Sequence, residues 1–316
     1  MQLKELIGEA LGKTLAPETR LAIAVSGGPD SLGLLALAHA ALPGRVTALT
    51  VDHGLRTGSA AEAAQVASLC AGAGIPHHVL SWSGPHPRAN LQAAARAARY
   101  ALMADWCQRH DVPVLLTAHH AEDQAETLLM RLARGSGLAG LSGIRAARPL
   151  APGVMLVRPL LTTPRSALAD AARAAGWTAI DDPSNRHPRH DRTHVRALLA
   201  REPGLLPASM LATSAACLAE AEAALDWATD RAFESRVTQD ANGLGLDLAG
   251  LPQALQHRLL ARAFAQLGAA PRGSAVARLL ARGGGTLAGL RLRAGAGLRL
   301  RAGPPWTLTP APPRKS

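Results

Sequence analysis

The sequence predicts an α/β protein, with a doubly wound, mostly parallel sheet followed by a smaller, mainly helical domain. Two observations support this prediction. Over the first two hundred residues, short β-like runs alternate with helical patterns, which implies crossover connections and a parallel sheet. Beyond Pro203 the pattern turns helical. A chain of 316 residues is long enough for about two domains, which we place at residues 1–204 and 205–316.

The strands of the first domain are predicted from five apolar runs. These are LAIAV (21–25), VTALTV (46–51), HHVLSW (77–82), VPVLLTA (112–118) and VRPLL (157–161). Helical patterns follow from Leu32, around residues 59–73, and over 90–108, 121–133 and 163–176. In such sheets the functional site lies beyond the carboxyl ends of the strands, at a topological switch point. Polar residues that follow the strands are therefore the first candidates for a site.

The second domain begins with a long alanine-rich helix, from about Pro207 to Ala232, and contains another helix over 254–268. Three consecutive glycines at 283–285 then introduce the alternating run LAGLRLRAGAGLRLRAG. Alternation of this kind predicts a small β-hairpin with a basic face. The final segment, PPWTLTPAPPRKS, is rich in proline and is predicted to be a disordered tail.

The charge of the chain favours a polyanionic partner. Its formal net charge is +11, from 34 basic and 23 acidic residues, and nine basic but no acidic residues lie between Arg272 and Ser316. Such a surplus attracts RNA, although an arginine-rich composition can also reflect GC-rich coding. The chain shows neither a signal-peptide core nor an apolar run of membrane-spanning length. We therefore expect a cytoplasmic protein that does not enter the membrane.

The three cysteines, Cys70, Cys107 and Cys217, stand far apart without CxxC spacing. This distribution argues against a zinc site, an iron–sulfur cluster or a disulfide framework.

The loop after the first strand, SGGPDS, is the strongest single signal. Its glycines let the backbone approach an anion closely, and the amides of the following helix donate to that anion. Its hydroxyls add donors, and Asp30 could cap the helix or hold a magnesium ion. The loop lacks the lysine of a Walker A motif and the spacing of a dinucleotide fingerprint. A plain strand-to-helix turn would explain a bare Gly-Gly pair, but not the full string. We interpret the loop as a phosphate site made of Ser26, Gly27, Gly28, Pro29, Asp30 and Ser31.

In this loop the chain resembles the PP-loop superfamily of N-type ATP pyrophosphatases, whose fingerprint is SGGxDS after the first strand. Later motifs narrow the resemblance to the tRNA(Ile)-lysidine synthetase family, in a short form. They are DHGLR (52–56), NLQAAARAARY (90–100), HHAEDQAET (119–127), DPSN (182–185) and the RxxxR string at 192–196. The order of these motifs matches the family across essentially the whole chain.

The resemblance implies a ligase that uses ATP and Mg²⁺. Such an enzyme transfers AMP to the C2 oxygen of the wobble cytidine in tRNA(Ile) with a CAU anticodon. L-lysine then replaces that oxygen, which gives lysidine, AMP and pyrophosphate. The resemblance is also compatible with a homodimer.

Two interpretations, one functional and one structural, apply to Asp52 and to the pair Asp123 and Glu126. Asp52 ends the second strand, where doubly wound folds contact a nucleoside, but it could equally be a loop acid. Asp123 and Glu126 are three residues apart and share one helix face, where they could receive a cationic amine. Acidic residues in a first helical turn are also common without a ligand. The resemblance implies that the pair binds lysine.

The remaining candidates are basic, and their roles are implied by the resemblance. Arg99 becomes a candidate for contacts with the ATP phosphates or the reacting base, and Arg192 for catalysis. His119 could contact phosphate, although a lone histidine at this position more often just terminates a strand. Arg196 is a candidate for tRNA contact, together with Arg291 and Arg293 of the predicted hairpin. Asp30 is the candidate metal ligand.

Three positions depart from the family pattern: His187, His190 and Thr193 replace its usual aspartate, aromatic residue and asparagine. Two alternatives therefore stay open. A PP-loop tRNA thiolase also adenylates a base, but its usual paired cysteines are missing here. An RNA-binding paralogue with an inactive nucleotide site is the other.

Overall fold

The computed structural model describes residues 3–55, 58–83, 87, 89–180, 191–295 and 306–312. The chain forms two compact units, Met1–Ala219 and Glu220–Ser316. The division lies inside a long helix, α9, at Ala208–Arg236. Among the described residues, no helix combines the length and apolar composition needed to cross a membrane.

The first unit contains six strands and eight complete helices among its described residues. The strands are β1 (Leu21–Ala24), β2 (Val46–Asp52), β3 (His77–Ser81), β4 (Val114–Leu116), β5 (Ala147–Ala151) and β6 (Val154–Val157). The helices are α1 (Leu3–Leu11), α2 (Pro29–Ala41), α3 (Ser59–Gly72), α4 (Leu91–Arg109), α5 (Ala121–Ala133), α6 (Leu138–Leu141), α7 (Arg165–Ala174) and α8 (Asp191–Arg201).

These strands form one sheet in the order β3-β2-β1-β4-β6-β5. All neighbours pair in parallel except β5, which runs antiparallel to β6 at the edge. The predicted fold class, a doubly wound and mostly parallel sheet, is confirmed. The strand order reverses between β1 and β4, so the loops that follow these two strands meet at the switch point.

Alternate residues of β1 enter two different cores. Leu21 and Ile23 face a core that also holds residues of α1, α2 and α7, whereas Ala22 faces a core with Met103 and Trp106 of α4. Because helices cover both faces, the central strands are apolar throughout.

The last parallel strand is displaced from its predicted position. VRPLL was predicted as a strand, but β6 ends at Val157, and Arg158–Leu161 leave the sheet. Proline has no backbone N–H to donate to a ladder, so Pro159 terminates pairing. The edge hairpin of β5 and β6, which turns at Gly153, was not predicted.

Helix α2 packs closely against α7 through Gly33. A Cβ atom at this position would overlap the backbone carbonyl of Leu168. The absence of a side chain lets the two helices approach each other, and this contact fixes α2 and the loop before it against the sheet.

The second unit combines part of α9 with two helices and an antiparallel sheet. The helices are α10 (Gln253–Gln266) and α11 (Gly273–Ala281). The strands are β7 (Val237–Asp240), β8 (Gly243–Leu246), β9 (Gly284–Leu287), β10 (Leu290–Ala294) and β11 (Trp306–Pro310), in the order β7-β8-β11-β10-β9. Strands β9 and β10 form an antiparallel hairpin that starts earlier than the predicted one, since its first strand contains the glycines before the run 287–303. Residues 296–303 of that run lie outside the described residues.

Part of the tail predicted as disordered is instead β11, which lies between β8 and β10. Leu308 is fully buried in the core of the second unit. The alternating run WTLT satisfies the pattern of a half-buried strand, and its prolines lie at the ends, where a ladder tolerates them.

Candidate active site

The SGGPDS loop links β1 to α2 and closes on itself through two serines. The backbone N–H of Ser26 donates to Oγ of Ser31 at 3.1 Å, and this hydroxyl donates to the carbonyl of Gly28 at 2.9 Å. Gly28 is the N-cap residue of α2, and Pro29 occupies its first turn. The loop therefore holds the amino end of a thirteen-residue helix at the edge of the site, where backbone donors favour an anion.

Two features favour glycine at position 27. Its φ is +82°, and a Cβ atom would lie 2.6 Å from Cδ1 of Ile180. The backbone N–H of Ile180 donates to the Gly27 carbonyl at 2.9 Å, so the loop is fastened to the segment after α7. These two constraints explain the first glycine of the motif without reference to a ligand.

His120 is buried among three carboxylates at the start of α5. Its Nδ1 lies 3.0 Å from Glu122, and its Nε2 lies 3.5 Å from Asp123 and 3.6 Å from Asp30. Burial alone would lower the pKa of His120, but hydrogen bonds to Asp30 and Glu122 and the charge of Asp123 outweigh it and raise the pKa to about 9. His120 is therefore a cation at neutral pH.

Asp30 faces two cations. Nε of Arg165 donates to it at 2.9 Å, and His120 faces its other oxygen. Burial raises the pKa of Asp30, but hydrogen bonds from His120 and Arg165 outweigh it and keep the pKa below its usual value. The carboxylate is thus ionised and partly accessible beside the loop.

Asp123 and Glu126 lie on the same face of α5, as their spacing predicts, and both are ion-paired. Arg192 of α8 donates to Asp123 at 3.0 Å and to Glu126 at 2.5 Å. Arg196 donates to Glu126 at 2.8 Å. Only 2% of the Glu126 side chain is exposed, whereas the two arginines are about half exposed. The predicted amine-binding carboxylates therefore already hold guanidinium groups.

Charges balance across this part of the site, which we call the acidic side. Its four carboxylates, Asp30, Glu122, Asp123 and Glu126, contact four cations, His120, Arg165, Arg192 and Arg196.

His119, one residue earlier, has a different environment. The hydroxyl of Thr117 lies 3.0 Å from its Nδ1. Burial lowers the pKa of His119, and the charges of Arg158, Arg96 and Arg192 lower it further, to about 3. His119 is therefore a neutral imidazole at the end of β4.

Arg99 lies near this histidine on α4. Burial lowers the pKa of its guanidinium, and no hydrogen bond or ion pair joins that group to another described residue. Arginine still remains charged, so Arg99 offers an uncompensated cation to a ligand.

One cavity of about 190 Å³ collects most of the predicted residues. Its lining includes Ser26, Asp30, Ser31, Arg99, His119, Asp123 and Arg192. An adjoining cavity of about 450 Å³ shares Asp30 and Asp123 and adds Gly28, Pro29, His120, Glu126, Arg165 and Arg196. The switch point thus joins the phosphate loop, the acidic pair and the arginines, as the sequence predicts.

Asp52 does not line either cavity. It accepts hydrogen bonds from the hydroxyl of Ser59 and the backbone N–H of Gly54, and both lower its pKa. This geometry fits a loop acid at the end of β2.

Two predicted RNA contacts lie on β10 of the second unit. Arg291 and Arg293 alternate with the buried Leu290 and Leu292, so they share the opposite face of the sheet. DPSN (182–185), with His187 and His190, lies outside the described residues.

Sequence reasoning missed His120, Glu122 and Arg165. The string HHAED did contain a signal for the first two, because a histidine flanked by acids at the start of a helix can pair with them. Arg165 had no local signal, because it meets Asp30 across 135 residues.

Comparisons with known proteins identify the family of the chain. The model of the PP-loop domain family matches residues 1–202. The chain is 45% identical over 293 residues to a tRNA(Ile)-lysidine synthase from Novosphingobium aromaticivorans, covering 90% of this chain and 89% of that protein. It is 45% identical to a tRNA(Ile)-lysidine synthase from Zymomonas mobilis, covering 83% and 80% of the two chains. A third, from Methylobacterium sp. strain 4-46, is 49% identical, covering 79% and 74%.

A solved structure supports the fold. A U34-tRNA thiolase from Methanococcus maripaludis superposes with a TM-score of 0.56 at 18% identity, over 69% of this chain and 78% of that one. Likeness at this identity concerns the architecture alone.

Proposed function

Because the chain belongs to the tRNA(Ile)-lysidine synthase family of PP-loop proteins, we propose that it ligates L-lysine to C2 of the wobble cytidine of tRNA(Ile) with a CAU anticodon. ATP is cleaved to AMP and pyrophosphate in the reaction. The observation that carries the proposal is the shared cavity, in which the SGGPDS loop, Arg99 and Asp123 face the same space. Adenylation of a base followed by attack of an amine needs a phosphate site and an amine site side by side.

The first step requires binding of ATP and stabilisation of its departing pyrophosphate. The C2 oxygen of cytidine is a very poor leaving group. Transfer of the AMP group of ATP onto this oxygen, with departure of pyrophosphate, makes it a good one. The amino end of α2 and the hydroxyl of Ser26 supply donors for the pyrophosphate, and Arg99 supplies positive charge for the phosphates.

Mg²⁺ fits the site as a companion of ATP. Among the described residues, no group of three or more His, Cys, Asp or Glu side chains could hold a metal ion. Mg²⁺ is commonly bound by one or two carboxylates and the substrate phosphates, and Asp30 is a suitably placed, ionised carboxylate. When bound, Mg²⁺ neutralises charge on the phosphates.

The second step requires lysine to reach the carboxylates that arginines occupy. We assign the ε-ammonium group of lysine to Asp123 and Glu126, where it replaces one of the guanidinium contacts of Arg192 or Arg196. Arg192 also borders the cavity of the phosphate loop, so its displaced guanidinium has an anion to move toward. His120 is already protonated, so a carboxylate takes the proton that the amine must lose before it attacks C2.

The basic positions divide between two roles. The pairing of Arg196 with Glu126 favours a role in positioning the acidic side over the predicted contact with tRNA. Arg291 and Arg293 lie together on one face of their sheet, which suits contacts with RNA phosphates. The homodimer stays a prediction.

The thiolase alternative is not supported by the cysteines. Cys70 and Cys107 are buried, and burial raises the pKa of their thiols to about 11 and about 12. Thiols with such pKa values are not nucleophiles at neutral pH. Cys217 is exposed but stands alone, without the second cysteine that is usual in such thiolases.

The proposal is tested by AMP release from labelled ATP, with tRNA(Ile) bearing a CAU anticodon and with or without lysine. We expect lysine to be incorporated into the tRNA, and Asp30→Ala to abolish incorporation while Asp170→Ala, a change of an exposed acid paired with Arg173, retains it. Binding of ATP and tRNA by the wild type without AMP release would instead identify an inactive RNA-binding protein.

A further inference from the structure

A third cavity in the first unit has a lining of unusual charge. It measures about 420 Å³, and its lining contains six arginines but no aspartate or glutamate. We call it the arginine pocket, after Arg96, Arg131, Arg145, Arg148, Arg158 and Arg192. His119 also lines it, as a neutral imidazole.

Most of these charges have no counterion in the part of the chain that the structure describes. Arg192 is paired with Asp123 and Glu126, but the other five form no ion pair with a described carboxylate. Arg131 donates to the carbonyls of Gly140 and Gly143 instead. Five positive charges around one cavity repel one another unless an anion enters it.

Arg158 is the most constrained of the six. It is 5% exposed, its Nη1 donates to the carbonyl of Arg145 at 2.7 Å, and its buried Nε has no hydrogen-bond partner. A buried guanidinium without a counterion and with an unsatisfied donor is costly, and buried charges are normally paired. Burial accordingly lowers its pKa.

The ring of Tyr100 contacts two more of the arginines. The guanidinium carbons of Arg96 and Arg148 lie 5.3 and 5.5 Å from the centre of its ring. Stacking on an aromatic ring pre-orients the planar fork of arginine, which matches the oxygens of a phosphate group. The pocket therefore presents oriented donors rather than a diffuse positive surface.

We propose that the arginine pocket binds a backbone phosphate of the RNA, next to the nucleotide whose base reacts. Arg96, His119 and Arg192 line both this pocket and the cavity of the phosphate loop, so the two ligands would be neighbours. The loop residues Ser26, Asp30 and Ser31 do not line the arginine pocket, which argues against its use by the triphosphate of ATP. The inference rests on the proposed function, since it takes the reacting base to lie in the shared cavity.

The test measures the affinity of Arg145→Gln and Arg148→Gln variants for tRNA(Ile) and for a short RNA hairpin carrying its anticodon loop. Arg145 is exposed and borders the pocket, so its replacement leaves the buried Arg158 in place. Arg173→Gln is the matched control, because Arg173 is an exposed arginine of the same unit outside the three cavities. Each pocket variant should lose at least about 10-fold in RNA affinity, since a charge-assisted contact is lost. The slope of log affinity against log salt concentration should become less steep by the amount that corresponds to one lost phosphate contact.

A second arm identifies the phosphate. Uncharged methylphosphonate links are placed one at a time on either side of the target cytidine in the hairpin. One of these uncharged links should weaken binding of the hairpin by the wild type. The same link should weaken binding by Arg145→Gln and Arg148→Gln only slightly further, because these variants have already lost the contact with that phosphate. ATP affinity, measured with the same proteins, should stay within about twofold of the wild type, because the lost contact is to the RNA alone.

The outcomes are distinguishable. A variant that loses ATP affinity while keeping RNA affinity would assign the pocket to the nucleotide and overturn the inference. Unchanged affinity for both ligands would overturn it as well. If the wild type itself bound neither the tRNA nor the hairpin, the proposed function would fail before the pocket was at issue.

Discussion

The acidic side of the site and the arginine pocket meet at two consecutive histidines, His119 and His120, which experience opposite electrostatic fields. Three carboxylates surround His120 and raise its pKa to about 9. Burial and three arginines lower the pKa of His119 to about 3. The reversal occurs within one residue because both histidines lie in the short connection between β4, which ends at Leu116, and α5, so that the two rings line different cavities.

The two sides differ in whether their charged side chains are paired with groups of opposite charge. On the acidic side every carboxylate contacts a cation supplied by the protein, whereas five arginines of the pocket have no described carboxylate partner. A compensated site exchanges one cation for another, which suits an amine substrate. An uncompensated site gains most from an anion. The two sides thus match the two charged substrates that the proposed reaction joins.

The largest effect is expected from Glu126→Gln, which breaks the balance of the acidic side. Glu126 is 2% exposed and accepts from both Arg192 and Arg196. Loss of its charge removes the proposed amine contact, removes the carboxylate paired with Arg196, and leaves Arg192 paired with Asp123 alone. We expect kcat/KM for lysine to fall by about 1,000-fold, which corresponds to about 4 kcal/mol.

Steady-state kinetics with saturating ATP and tRNA measure this change. Glu202→Gln is the matched control, since Glu202 is a partly exposed acid beside Arg201, outside the three cavities. A Glu126→Gln enzyme that melts like the wild type and keeps its kcat/KM for lysine would show that the amine binds elsewhere.

A smaller effect is expected from the protonation of His120. Its folded pKa of about 9 lies above its ordinary value of 6.5, so the native state holds the proton more tightly. The resulting stabilisation is complete below pH 6.5 and is lost as the pH rises through 9. It amounts to at most about 3 kcal/mol. The free energy of urea unfolding should therefore decline between pH 6.5 and 9 in the wild type.

The variant His120→Gln should flatten this decline, because it has no proton to lose. His39→Gln removes an imidazole from α2, away from the site, and controls for the loss of a histidine. An equal slope in the wild type and His120→Gln would mean that the three carboxylates do not hold a charged imidazole.

The comparison also separates what the sequence could predict from what it could not. Alternation of strands and helices and the SGGPDS string depend on local pattern, and they correctly placed the loop beside the residues after β4. The spacing of Asp123 and Glu126 correctly put both on one helix face. The pairing of these carboxylates with cations of the protein could not be predicted, because Arg192 and Arg196 lie 66 and 70 residues from Glu126 in the sequence.

The arginine pocket escaped prediction for a related reason. Its members come from α4, α5, the β5–β6 hairpin region and α8, and each arginine alone has the appearance of a solvated charge. Their convergence depends on the hairpin at the edge of the sheet, which was not predicted although the turn dipeptide Pro152-Gly153 separates its strands. The strand β11 was missed because the prolines around WTLTP outweighed its alternation.

The smallest effect is expected from His119→Gln, with a sign opposite to that of His120. The folded pKa of His119, about 3, lies below its ordinary value of 6.5, so only the unfolded state takes up a proton in mild acid. The free energy of unfolding should therefore fall as the pH drops below 6.5, by up to about 2 kcal/mol by pH 5. The variant should not show this part of the decrease. Urea unfolding between pH 5 and 6.5 measures the difference. Part of this shift comes from Arg158, Arg96 and Arg192 and not from Arg145, so Arg145→Gln should leave the acid limb nearly unchanged. A bound RNA phosphate should reduce the slope of that limb by offsetting the charge of those three arginines. A wild type whose acid limb matches that of His119→Gln would show that His119 is not held neutral, and the contrast between the two histidines would disappear.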